Sequence, residues 1–136
     1  MKGCYILIVN MYGDNAINVG SLGRLSFQDG NYAYVGSAMN GLEQRIGRHM
    51  RKKKAIRWHI DYILQYGNIV SVFIKENDTR EECEVSKALA LRFRPIRGFG
   101  SSDCNCRGHL YRIDGLEDFK RIVHGMGFHT YLSGDD

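Results

Sequence analysis

The chain has 136 residues, 43% of them hydrophobic and 25% charged, a composition that suits one soluble globular domain with one core. Its apolar runs are short, as in Tyr5-Ile6-Leu7-Ile8-Val9, which excludes a transmembrane helix. The first residues are too few and too polar for a secretory signal, so a cytoplasmic location is expected, with Cys4, Cys83, Cys104 and Cys106 as reduced thiols. Net charge is +4 but unevenly spread: from Arg45 to Arg57 there are seven Lys or Arg and no acidic residue. Such a concentration suits either a polyanion partner, phosphate first, or a solvated helix face.

Gly3 to Val9 is predicted as a buried first strand. Asp29-Gly30, between Leu25-Ser26-Phe27 and Tyr32-Ala33-Tyr34-Val35, is a hairpin signal, so the first third is expected to be a small antiparallel sheet. A helix is predicted from Asn40 or Gly41 to about Lys53, with Leu42, Ile46 and Met50 as its apolar stripe. Arg45, His49 and Lys52 share one flank of that stripe.

A second helix is predicted from Ala55 to Tyr66, facing inward with Ile56, Ile60, Ile63 and Leu64. His59 and Asp61, two residues apart on it, point in different directions and cannot serve one ion together. Trp58 points away from Ile56 and Ile60, available to pack on another segment or stack on a base. Asn68 to Lys75 is predicted as a strand.

Thr79-Arg80-Glu81-Glu82 fits a capping box, with Thr79 as N-cap and Glu82 reaching back, opening a helix to about Arg92. Pro95 and the Gly98 and Gly100 pair end that segment, and the stretch from Gly100 to Gly108 is expected as a loop. Gly108 to Ile113 is predicted as the last strand and Leu116 to His124 as the last helix. This irregular alternation defines an α+β class: a mainly antiparallel sheet flanked by helices, in a single domain over residues 1–136.

Gly3-Cys4-Tyr5 and Tyr34-Val35-Gly36, followed by a helix bearing Arg45 and His49, resemble the two motifs and the arginine helix of the GIY-YIG nuclease superfamily. GSLGRLSFQDGNYAYVGSA, RWHIDYIL, ECEVSKAL and GFGSSDCNCRGHL extend the resemblance, over nearly the whole chain, to an uncharacterised prokaryotic branch of that superfamily. The interval between the motifs is longer than usual there, and an extra hairpin through Gly20 to Gly30 would fill it.

The resemblance implies a divalent-metal-dependent endonuclease that hydrolyses phosphodiesters in DNA, in repair or processing. One Mg²⁺ or Mn²⁺ would be held by a glutamate on a later helix, since hard cations prefer carboxylate and water oxygens. Carried onto this chain, Tyr5 is the candidate base, Tyr34 its partner, Arg45 the phosphate clamp, and His49 an orienting or proton-sharing group.

Glu81, Glu82 and Glu84 compete for the metal. Glu82 is accounted for by the capping box and Glu81 by the helix dipole. Glu84 shares a face with Ala88 and Leu91 and is the expected ligand. Arg48, Lys52, Lys53, Lys54 and Arg57 are the expected grip on a nucleic-acid backbone.

Cys104, Cys106, His109 and Cys83 could together suggest a zinc site, but the C-x-C spacing departs from structural fingers and zinc is not expected. Two other functional classes fit the same residues. One is a non-catalytic nucleic-acid-binding module with this fold; the other is an accessory subunit whose basic helix meets an acidic protein.

Overall fold

Strand β1 (Gly3–Met11) lies inside the sheet and is buried on both faces, which is why its sequence is an almost unbroken apolar run. In the computed structural model, which describes residues 1–100 and 109–133, β1 pairs antiparallel with β4 (Gly30–Ala38) on one side and β5 (Asn68–Glu76) on the other. With β6 (Arg94–Pro95), β7 (Leu110–Ile113) and β8 (His129–Ser133) they form a six-stranded sheet in the order β6-β7-β4-β1-β5-β8. Every pairing is antiparallel.

The alternation of β1 divides the core into two layers. Tyr5, Leu7, Val9 and Met11 face helices α1 (Leu42–Met50) and α2 (His59–Ile63), meeting Leu42, Ile46, Ile60 and Ile63. Cys4, Ile6 and Ile8 face α3 (Glu82–Leu89) and α4 (Leu116–Gly125), meeting Val85, Leu89, Phe119 and Val123. Each fully buried side chain of this size contributes roughly 1.5–3 kcal/mol relative to exposure. The chain is therefore an α+β protein, a helix-covered antiparallel sheet. Among the described residues no helix is long and apolar enough to cross a membrane.

Several expectations from local pattern are corrected. Asp29-Gly30 does not close a hairpin onto Tyr32–Val35. Instead β3 (Arg24–Phe27) pairs with β2 (Asn15–Asn18) as a separate two-stranded sheet. Asp29 links that small sheet to the end of β1: its carboxylate accepts Gly13 N–H at 2.6 Å, and its own N–H is donated to Asp14 Oδ1 at 2.9 Å.

Helix α1 ends at Met50, short of Lys53, because Arg51 is extended (φ −71, ψ 132) and Lys54 Nζ donates to the carbonyls of His49 and Arg51. Its inner stripe is Leu42, Ile46 and His49, while Met50 is exposed. The predicted Ala55–Tyr66 helix is only the five residues of α2, started by the Asp61 carboxylate, which accepts the N–H groups of Arg57 (2.9 Å) and Trp58 (3.0 Å).

The capping box is absent: Thr79 Oγ1 donates to Asn77 Oδ1, and α3 has Glu81 as its N-cap residue without a side-chain cap. Strands β6 and β8 were not foreseen from the sequence. Cys104 and Cys106, considered above for zinc, lie outside the described residues.

Candidate functional site

A cleft of about 180 Å³ lies beside the Gly36 end of β4. Among the described residues the β4–β7 ladder ends at Tyr34↔Leu110, with one further bond from Val35 N–H to the His109 carbonyl. Beyond it Gly36, Ser37 and Ala38 pair with β1. Arg45 and Trp58 approach from the α1–α2 side, Arg80 and Glu82 from the start of α3, and His109 and Gly100 from the far rim.

The two tyrosines reach this place because the strands carrying them are neighbours. Tyr5 pairs with Gly36, and Leu7 with Tyr34, so Tyr5 and Tyr34 share one face with ring centroids 6.5 Å apart. A side chain at position 36 would collide with Tyr5: a Cβ there would sit 2.5 Å from both Cζ and Oη. Gly3 is constrained similarly, since its Cβ would lie 2.2 Å from the Lys75 carbonyl oxygen.

Tyr5 Oη and His49 Nε2 share a buried hydrogen bond of 2.8 Å. Both groups are pressed toward neutrality. Burial pushes the Tyr5 phenol up to about 12, with the Arg45 charge pulling the other way. Burial lowers His49 to about 3, opposed by Asp61 and reinforced by the Arg45, Arg48 and Lys54 charges. The Nδ1 atom of His49 is buried without a hydrogen-bond partner among the described residues. Tyr34 is also raised well above the usual phenol value, first by burial and then by Tyr5.

Arg45 is half-buried; its Nη1 donates to the Ser37 carbonyl at 3.0 Å, and its guanidinium lies 4.7 Å from the Trp58 ring centroid. Ser37 Oγ donates to Glu82 Oε2, and Arg80 Nη1 stands 3.5 Å from Glu82 Oε1. Glu82, with its side chain 21% exposed, is the carboxylate that lines the cleft among the described residues. Glu84 is not brought there: it is on the exposed face of α3, with Ala88 beside it also exposed and Leu91 beyond the helix 86% exposed. The face that argues for Glu84 in the sequence is thus the solvent face. The local pattern that assigns Glu82 to a cap is overridden by its contact with Ser37, 45 positions away.

His109 is buried, and its Nδ1 shares a 2.9 Å hydrogen bond with Ser86 Oγ. Burial lowers it while Glu82 raises it. His59 Nδ1 accepts the Gly100 N–H at 2.8 Å and thereby ties α2 to the cleft rim.

The basic run divides. Arg48 makes a two-point ion pair with the fully buried Asp61 and also donates to the Ala55 carbonyl. Lys52 donates to Asn68 Oδ1 at 3.0 Å, and Lys54 closes the end of α1. Arg48 and Lys54 hold the turn between α1 and α2 together and Lys52 ties it to the start of β5, whereas the sequence pattern assigns all three to a bound backbone. Arg51, Lys53 and Arg57 are exposed. Sequence reasoning missed the role of Trp58: its ring is flanked by the guanidiniums of Arg45, Arg48 and Arg57 at 4.7, 4.4 and 5.2 Å from its centroid. The spacing of Arg48, Arg57 and Trp58 around Asp61 was the available signal.

Metal fit can be judged from the donors present. Among the described residues no group of three His, Cys, Asp or Glu side chains is placed to hold an ion. A single carboxylate at an open cleft suits a hard, mostly water-ligated divalent cation and does not suit a tetrahedral zinc site.

Fold and cleft together define a small α+β protein with a tyrosine-lined cationic cleft that holds the Glu82 carboxylate. Residues 4–129 match the family described as "Domain of unknown function DUF123", and the chain belongs to that family. Comparison with curated proteins and with solved structures finds no match.

Proposed function

We propose that the cleft hydrolyses a phosphodiester bond of nucleic acid, DNA first, with a divalent cation at Glu82. The observation that carries this reading is the convergence of Tyr5, Arg45 and Glu82 on one cleft, with His49 hydrogen-bonded behind Tyr5. The resemblance of the two paired strand motifs to those of GIY-YIG nucleases supports it.

Arg45 would hold a non-bridging phosphate oxygen through its planar donors. Tyr5 Oη would accept a proton from the attacking water while its own proton passes to His49 Nε2. The oxygen–phosphorus bond forms on one side, and on the other the bond to the leaving sugar oxygen breaks and that oxygen takes up a proton from solvent. An anionic phosphate beside the pair favours the imidazolium and so opposes the effect of burial on His49. A Mg²⁺ or Mn²⁺ ion on Glu82 would supply charge stabilisation at the phosphate and leaving oxygen.

One observation favours a second reading, a binding module without catalysis. Ser37 and Arg80 already engage both oxygens of Glu82. A nicking assay on supercoiled DNA with Mg²⁺ or Mn²⁺, and with chelator as control, separates the two. Metal-dependent nicking that is lost in Arg45→Ala supports hydrolysis. DNA binding without nicking in either metal decides for the binding module.

A further inference from the structure

Beside the cleft lies a second, wider groove of about 420 Å³ whose lining includes Gln44, Arg45, Arg48, Arg51, Arg57 and Trp58. Among the described residues no acidic side chain lines it. Arg45 and Trp58 line both spaces, so groove and cleft share one wall. The charge of Arg48 is matched by Asp61, which leaves Arg45, Arg51 and Arg57 as the net positive groups of the groove.

Trp58 organises these groups. Three guanidinium carbons lie within 5.2 Å of its ring centroid, so its faces are already taken by cations. Its backbone is also pinned, because the Asp61 carboxylate that pairs with Arg48 accepts the Trp58 N–H. A ring so covered is a poor platform for a nucleobase. It is a good one for holding planar donor forks in fixed orientation, and such forks match phosphate oxygens.

We infer that this groove binds the phosphate next to the one in the cleft, on the same nucleic-acid strand. The ligand class is therefore a strand with at least two successive phosphodiesters, held by its backbone and not by its bases. Arg45 stands between the two phosphates, and Arg51 and Arg57 contact the outer one. This inference rests on reading the cleft as a phosphodiester site.

Trp58 is the sole tryptophan of the chain, so its fluorescence reports directly on the groove. The wild type, in chelator to prevent cleavage, is titrated with a deoxydinucleotide carrying one phosphodiester and with a tetranucleotide carrying three. The tetranucleotide is expected to bind about tenfold more tightly, with the preference lost in Arg51→Ala/Arg57→Ala. It should persist in Arg24→Ala/Arg92→Ala, which removes the same charge from exposed positions outside the groove. The double groove variant should also lower the salt slope by about 0.7 for each phosphate it no longer neutralises.

A tetranucleotide preference that survives in Arg51→Ala/Arg57→Ala overturns the assignment. So does tripolyphosphate or oligoglutamate binding as tightly as the tetranucleotide, since either would make the groove a general anion or acidic-peptide site. The two readings fail separately. Groove-dependent strand binding without any nicking sinks hydrolysis alone, while nicking with an Arg51- and Arg57-independent preference sinks the second phosphate alone.

Discussion

Arg48 and Asp61 meet through two parallel hydrogen bonds, Nη1 to Oδ1 at 3.0 Å and Nη2 to Oδ2 at 2.9 Å, with the carboxylate fully buried. The same carboxylate starts α2 and fixes the Trp58 backbone, so one ion pair sets the wall shared by the cleft and the groove. Arg48→Ala would leave a buried charge with only backbone partners. We expect a loss of about 3–5 kcal/mol, measured by urea unfolding at neutral pH.

The pair also has a pH signature. Burial raises the Asp61 carboxyl, but the hydrogen bonds from Arg48, Trp58 and Arg57 outweigh it and hold the group below its ordinary value. Its contribution is therefore present above the unfolded carboxyl value of about 3.9 and is lost as pH falls through the lower folded value. Acid unfolding of the wild type should show this loss below about pH 4. In Asp61→Asn that component should be missing.

Glu82 and Glu84 are two residues apart on α3, yet only Glu82 lines the cleft. If the cleft is hydrolytic, Glu82→Gln should reduce metal-dependent nicking by about 100-fold or more. Glu84→Gln, changed on the solvent face, should stay near wild type. Equal activity of both variants would remove Glu82 from the mechanism.

Tyr5→Phe deletes the Oη–Nε2 bond and keeps the ring that fills the space at Gly36. If the cleft is hydrolytic, nicking should fall by about 10²–10⁴-fold, while stability falls by about 1–3 kcal/mol as His49 Nε2 loses its partner. A loss of stability with intact nicking would assign Tyr5 to packing alone.

His49 is kept neutral by burial at a pH where the unfolded chain takes up a proton. Between the unfolded value of about 6.5 and the folded value of about 3, the unfolded state binds more protons, so stability falls as pH drops. The slope reaches at most about 1.4 kcal/mol per pH unit. Urea unfolding at pH 7.5 and 4.5 should show a smaller loss in His49→Gln than in wild type. An unchanged pH difference would mean that His49 does not titrate in this way.

Much of the sheet was legible in the sequence because its signals are local. β1 and β5 are apolar runs long enough to be buried on both faces, and α4 carries its own periodicity. The meeting of Tyr5 and Tyr34 was expected from the family resemblance alone, because it depends on the register of β1 with β4 and not on a local pattern.

What failed was local chemistry overridden by distant partners. Thr79 and Glu82 fit a capping box by spacing, but Ser37, on a strand formed 45 positions earlier, takes the Glu82 carboxylate. Asp29-Gly30 fits a hairpin turn, but Asp14 and Gly13 hold Asp29 toward another sheet. The basic run looked uniform as sequence. Only Asp61, Asn68 and two helix-end carbonyls distinguish the cations that brace the turn from those that face outward.

The missing side chain at Gly36 is the space that the Tyr5 ring occupies, which makes positions 5 and 36 a single inherited unit. A lineage that acquires a larger residue at 36 while keeping Tyr5 must bend β4 away from β1. One that first loses the aromatic ring gives up the phenol before the glycine is released. Without a bend in β4, drift can therefore pass through this pair only by losing the tyrosine first, so a relative with bulk at 36 and an undistorted sheet would also be expected to lack the tyrosine at 5.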